Sequence, residues 1–243
     1  MDPAGKTALV TGGAHRVGRA LSLGLARAGA DVAVNYNRSA EAAAETVRAI
    51  EAHGRRAIAV HADVSRKADV DRLVREVEET FGRLDILVNS ASLFERTAFA
   101  GVSEAEWDRV LGVNLKGPFL LAQATAPLLR AQGEGVIINI ADLSAFQTWP
   151  SFVPHAVSKA GLVHLTRQLA RALAPEIRAN CVAPGTVLPA AQDEGADHAG
   201  GRERRTVLRE GLPDDVIDAV LYLIRGDFVT GEVIVADGGR MLL

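Results

Sequence analysis

Thr7-Ala8-Leu9-Val10-Thr11-Gly12-Gly13-Ala14-His15-Arg16-Val17-Gly18 carries an apolar segment into a glycine-rich turn, and an amphipathic segment begins near Arg19. The order is strand, turn, helix start. Glycine turns the backbone sharply and lets it approach a ligand with no Cβ in the way. The N-terminus of the helix that follows offers unpaired N–H groups and a partial positive charge, a seat for phosphate. By itself such a turn is a weak sign of a dinucleotide site, so its meaning depends on the rest of the chain.

The alternation repeats. Strands are expected at Thr7–Thr11, Asp31–Tyr36, Arg56–His61, Leu84–Asn89, Gly135–Ala141, Arg178–Ala183 and Glu232–Ala236. Helices are expected at Arg16–Ala28, Ser39–His53, Lys67–Phe81, Glu104–Ala131, Pro154–Leu173 and Pro213–Arg225. Strands apolar on both faces and separated by helices predict a parallel α/β sheet covered on two sides. Ser103-x-x-Glu106 reads as a capping box. Pro213 suits a first helical position, with Asp214 and Asp215 opposing the dipole. Gly29, Gly54 and Gly82 fit helix ends. Ala190–Arg205 is rich in Gly, Ala and charge and lacks apolar periodicity. With residues 188–210 it reads as a substrate lid after a strand's carboxyl end.

The chain has 243 residues and a formal net charge of −3. That charge argues against nucleic-acid binding, which favours a basic surface. Cys181 is the only cysteine, so no intrachain disulfide forms, which suits a reducing cytoplasm. Residues 1–6 contain no apolar signal core. No apolar run approaches the ~20 residues that span a bilayer. The expectation is one cytoplasmic domain over residues 1–243 with a small-molecule substrate.

In a doubly wound sheet, ligands bind beyond the carboxyl ends of the strands. Those ends carry Thr11-Gly12, Asn35–Ser39, Asp63-Val64, Asn89–Ser92, Asn139–Asp142 and Pro184–Thr186. Six polar ends on one rim are hard to explain as strand caps alone. Together with Asn114, Lys159 and the closing Asp237-Gly238-Gly239, they resemble the short-chain dehydrogenase/reductase family across essentially the whole chain. The resemblance implies a Rossmann-type doubly wound sheet of about seven parallel strands and a nicotinamide cofactor. It places the cofactor on Gly12, His15, Arg16, Val17, Gly18, Asn37, Arg38, Ser39, Asp63, Val64, Asn89, Ala91, Lys159, Pro184, Gly185 and Val187. It also implies a homotetramer built on Glu104–Ala131 and Pro154–Leu173.

The residues after strand two favour NADP(H). NAD sites place an acid there for the ribose hydroxyl, whereas NADP sites place a cation. Asn35–Ser39 has no acid and has Arg38, and Arg16 adds a second guanidinium suited to phosphate oxygens.

The catalytic positions depart from the family pattern of a serine followed by Tyr-x-x-x-Lys. Asp142 stands at the serine position, and His155-Ala156-Val157-Ser158-Lys159 stands at the tyrosine motif. His155 and Lys159 are one helical turn apart and share a face. Ser144 and Ser158 fall outside the register and read as structural. Asp142, Arg16, Ser92 and Phe94 resemble the pteridine reductase branch, in which the matching phenylalanine stacks on the pterin. Imidazole titrates near ~6.5 in general, so a charged His155 can donate a proton at neutral pH. A close Asp142 favours the charged ring and a close Lys159 disfavours it. A buried, protonated Asp142 is the other candidate donor. Asn114 completes the set by the family's distortion of its helix. The remaining histidines show no metal-ligand spacing, so no metal is expected. The readings carried forward are a pterin or dihydropterin reductase, a carbonyl reductase of the 3-oxoacyl type, and a catalytically silent NADP-binding protein.

Overall fold

A computed structural model describes residues 1–188, 206–207 and 209–243. The strands are β1 (Thr7–Thr11), β2 (Asp31–Tyr36), β3 (Ala57–His61), β4 (Ile86–Asn89), β5 (Gly135–Ile140), β6 (Ile177–Pro184) and β7 (Val233–Ala236). All pair in parallel in the order β3-β2-β1-β4-β5-β6-β7. The order reverses between β1 and β4, where a crevice forms beyond the carboxyl ends. Register aligns those ends: Thr11 pairs with Asn89, and Asn89 with Asn139.

Because strand side chains alternate between faces, β1 feeds two cores. Ala8 and Val10 join Val32, Val34, Ile86, Val88 and Ile138 on one face, under α1 (Arg16–Arg27), α2 (Ala40–Glu51) and α7 (Pro213–Arg225). Leu9 joins Ala33, Leu87 and Ile137 on the other, under α3 (Lys67–Phe81), α5 (Gly117–Ala131) and α6 (Val153–Ala172).

The expected elements are present, with ends shifted by one or two residues. The expected Glu104–Ala131 helix is the exception. It consists of α4 (Glu104–Leu111), a π turn at Gly112–Lys116 and then α5. Half of the expected capping box forms. The Ser103 hydroxyl accepts the Glu106 N–H at 3.2 Å, but the Glu106 carboxylate takes the Thr97 hydroxyl instead of returning to Ser103. Pro213 opens α7, and Asp215 accepts the Leu212 N–H at 2.8 Å. The expected lid, Ala190–Arg205, lies outside the described residues.

At the sheet's amino rim, Asp85 is fully buried just ahead of β4. Its carboxylate accepts the Thr7 N–H at 2.9 Å and both arms of Arg83, at 2.6 and 2.8 Å.

Candidate active site

The turn after β1 is built by close packing. A Cβ on Gly18 would run into the Gly12 carbonyl, and one on Gly12 would lie 2.9 Å from Ala91 Cα. Only glycine fits at either position, so backbone meets backbone where a ligand would lie. Thr11 latches this turn to the next: its hydroxyl accepts the N–H groups of Ser90 at 3.0 Å and Ala91 at 3.1 Å. The Asn35 amide ties Gly12 to Val60 and Ala62. The outcome is a rigid groove of backbone groups at the N-terminus of α1, which fits a dinucleotide pyrophosphate.

The expected cofactor residues divide by role. His15, Asn37 and Arg38 are exposed along the groove, while Val17 and Ser39 are half-buried. Arg16 takes a left-handed φ of +48° and donates to the Leu188 carbonyl at 2.7 Å, so it bridges the glycine turn to the segment after β6. Asp63 accepts the N–H and hydroxyl of Ser65 at 2.9 and 2.7 Å, and Val64 packs where a Cβ on Gly117 would stand. Gly185 packs against Asp237, and Pro184 ends β6. The Val187 side chain sits in the core. Asn89 serves the fold: it donates to Asn139 at 2.8 Å, and Asn139 donates to Thr166 at 2.9 Å. Its Oδ1 is left buried and unpartnered.

The catalytic candidates converge. Asp142 Oδ2 lies 2.6 Å from His155 Nε2. His155 Nδ1 lies 2.8 Å from the Leu93 carbonyl oxygen. Each ring nitrogen thus has an acceptor at the shorter distance, and Nδ1 also lies 3.3 Å from the Asn114 amide nitrogen, a donor; a ring carrying two N–H groups satisfies both acceptors. Burial alone would raise the Asp142 carboxyl. The hydrogen bond from His155, the Lys159 charge and the Ser144 hydroxyl outweigh it and bring it down to about 2. Asp142 is thus a carboxylate at neutral pH, which corrects the expectation of a protonated Asp142 as free donor.

Lys159 is buried, and its ammonium donates to the Ile140 carbonyl at 2.8 Å. Burial lowers its pKa against the pull of Asp142. Of His155's two expected neighbours, only Asp142 makes the contact. Asn114 is fully buried in the π turn. Its Oδ1 accepts the Leu93 N–H at 2.8 Å, and its Nδ2 donates to the Leu93 carbonyl and the Ser158 hydroxyl, each at 3.0 Å. The π turn aims this amide at the loop that receives His155. Ser144 braces Asp142 by N–H and hydroxyl on Oδ1, at 2.8 and 2.5 Å.

Phe94 is half-exposed, but one face is already covered. It stacks on Phe152 with centroids 4.4 Å apart, and it meets His155 edge-on at 4.8 Å and Trp149 at 6.3 Å. Phe94 is thus one of three aromatic rings that form a wall beside the imidazole. Ser92, exposed on the same loop, makes no described contact with this wall. Sequence reasoning missed Trp149, Phe152 and the Leu93 carbonyl. The two rings occupy an aperiodic loop, and a backbone carbonyl leaves no mark in a sequence. The bracing role of Ser144 was legible as an i, i+2 Asx turn.

The fold and rim define a dinucleotide-dependent oxidoreductase, and the chain belongs to the short-chain dehydrogenase/reductase family. Residues 12–240 match the family model described as Enoyl-(Acyl carrier protein) reductase. A 3-oxoacyl-(acyl-carrier-protein) reductase, FabG, of Staphylococcus epidermidis is 34% identical over 98% of this chain and 99% of its own length. A short-chain dehydrogenase of Burkholderia cenocepacia, solved in complex with NADP, is 37% identical with a TM-score of 0.92, covering 99% of this chain and 100% of that one. A dehydrogenase/reductase of Sinorhizobium meliloti is 38% identical with a TM-score of 0.91, covering 98% and 95%. Among the described residues, no helix is long and apolar enough to cross a membrane.

Proposed function

We propose that the protein is an NADPH-dependent carbonyl reductase in which Asp142 and His155 share the proton that the family takes from tyrosine. The carrying observation is the 2.6 Å contact between His155 Nε2 and Asp142 Oδ2, with the other ring nitrogen held on the Leu93 carbonyl. The likeness to a 3-oxoacyl reductase and to a structure holding NADP supports the reaction class and the cofactor.

Bound in the groove at the glycine turn, NADPH would supply the hydride for the carbonyl carbon. The protein's part is the proton. The His155 side chain is 3% exposed and that of Asp142 is 23% exposed, so the carboxylate forms the open edge of the pair. As negative charge builds on the substrate oxygen, the shared proton passes from Nε2 through Oδ2 toward it, leaving a neutral imidazole and a carboxylate for recharging by solvent. The Lys159 charge lies close enough to favour that carboxylate. Arg38 and Arg16 are the cations for the 2′-phosphate and pyrophosphate, with the other rim residues holding the rest of the cofactor.

A second reading, reduction of a pterin, draws on the half-exposed Phe94 beside an ionised Asp142, which suits an amino-pyrimidine edge. NADPH oxidation with an acetoacetyl thioester, biopterin and dihydrofolate separates the two. Turnover of the thioester supports the first reading and turnover of pterins alone the second. Tight NADPH binding without any turnover refutes both and leaves the silent binder. Full rates in both His155→Ala and Asp142→Asn would sink the shared-proton relay. Half-exposed Phe119 on α5 and Val157 on α6 support the homotetramer through those helices, a state that sedimentation tests.

A further inference from the structure

A cavity of about 530 Å³ opens beside the aromatic wall, between the segment Phe146-Gln147-Thr148-Trp149 ahead of α6 and two residues near the chain's end, Arg240 and Leu243. None of these carries a cofactor or proton role above. The size lies within the range of small-ligand sites.

Two observations say what the cavity suits. First, Trp149 belongs both to its lining and to the wall beside His155: its ring lies 6.3 Å from Phe94 and 6.2 Å from Phe152. The cavity therefore continues the surface that meets the reacting carbonyl. Second, Arg240 brings a cation. Its Nη1 donates to the Thr186 hydroxyl at 3.0 Å, which ties the chain's end to the turn after β6. Among the described residues, no carboxylate forms an ion pair with it. A guanidinium held by one neutral hydroxyl retains most of its donors for a ligand, and its planar fork matches carboxylate or phosphate oxygens.

We propose that this cavity receives the far end of the substrate, and that the substrate is a ketone carrying an anionic tail. The carbonyl lies at Asp142 and His155, the body runs along Phe94, Trp149 and Phe146, and the anion meets Arg240. The proposal rests on the carbonyl-reductase reading for the identity of the reacting group, but the anion site can be tested apart from it.

Three probes of matched aryl-ketone framework serve: γ-benzoylbutyrate, its primary amide, and an analogue ending in phosphate. The expected result is a KM about tenfold lower for an anionic probe than for the amide, a typical size for a charged contact. Whether carboxylate or phosphate is preferred identifies the tail. Arg240→Leu is expected to abolish the preference, and Arg240→Lys to keep most of it, which separates charge from packing. A readout independent of turnover comes from Trp107→Phe, which leaves Trp149 as the sole tryptophan. In the presence of NADP⁺, the anionic probes should quench Trp149 fluorescence more tightly than the amide does. Quenching that depends on Arg240, without turnover of any ketone, would uphold the anion pocket and refute the carbonyl-reductase reading. Equal affinity for anion and amide, unmoved by Arg240→Leu, would overturn the pocket whatever the turnover.

Discussion

Each rim of the sheet pairs an aspartate with a basic side chain, and the two rims use it differently. At the amino rim, Asp85 is gripped by both arms of Arg83 and by the Thr7 N–H. At the carboxyl rim, Asp142 is braced by Ser144 on one oxygen and meets His155 on the other. A guanidinium does not release its proton at any pH a protein survives, so the first pair is a fixed brace. An imidazole can give up a proton that a guanidinium keeps, so the second pair can pass one on. The choice of partner, together with the exposure of the carboxylate, separates scaffold from chemistry here: Asp85 is sealed, whereas Asp142 has an open edge.

The sharpest way to break this comparison is to neutralise each aspartate. Asp142→Asn should lower turnover by about a thousandfold, in the range expected when a positioned acid–base group is lost. NADPH affinity, measured by fluorescence titration, should hold. Asp85→Asn should leave turnover per folded molecule unchanged. A rate loss in Asp85→Asn matching that in Asp142→Asn would erase the distinction. Next in size is stability. Asp85→Asn leaves the partly exposed Arg83 facing a neutral amide, and urea unfolding should show a loss of about 2 kcal/mol, the size of a hydrogen bond to a charged group screened on one side by solvent. An undiminished midpoint would mean that Asp85 is not a brace.

The two rims also differ in how much of them the sequence discloses. The carboxyl rim was legible because its polar residues interrupt apolar strands at matching ends, and because Asp142, His155 and Lys159 keep the spacing of a family motif. Asn114 and the distortion of its helix were legible only through the family resemblance, since a five-residue π turn is too short to show as a change of period in the apolar pattern. The state of Asp142 was not legible either. Burial and hydrogen bonding push it in opposite directions, and only the 2.6 Å contact and the brace from Ser144 decide the balance. Phe94 was recognised, but Phe152 covers one of its faces from a loop with no pattern to read. Asp85 and Arg83 passed unnoticed because two neighbouring charges at a strand start look like solvated surface.

A smaller effect tests the ionisation of Asp142 directly. Its folded carboxyl sits at about 2, below the ordinary 3.8. A depressed acid contributes stability above its unfolded value and loses it as pH falls through the folded one. The wild type should therefore shed about 2 kcal/mol as pH drops from above 4 to 2, beyond what Asp142→Asn sheds over the same window. Other paired carboxylates titrate there too, so the difference between the two proteins in acid unfolding is the measurement. Parallel curves would place Asp142 at its ordinary value and weaken the case for a charged pair.

The smallest effect concerns a charge that belongs to neither kind of pair. Arg38 is exposed beyond β2, where solvent screens it. It is also close enough to Glu95 to help hold that carboxyl low, after the stronger pull of Arg109, whose bidentate contacts measure 2.5 and 2.6 Å. Glu95 thus offsets part of the field that a 2′-phosphate would feel at Arg38. Arg38→Ala should weaken NADPH binding by about tenfold and leave NADH binding nearly as it was, the modest size of a solvent-screened ionic contact. Glu95→Gln should shift the preference the other way, toward NADPH, by removing the competing carboxylate. Equal losses for both cofactors in Arg38→Ala would show that this arginine reads no phosphate and that selectivity lies with Arg16 at the glycine turn.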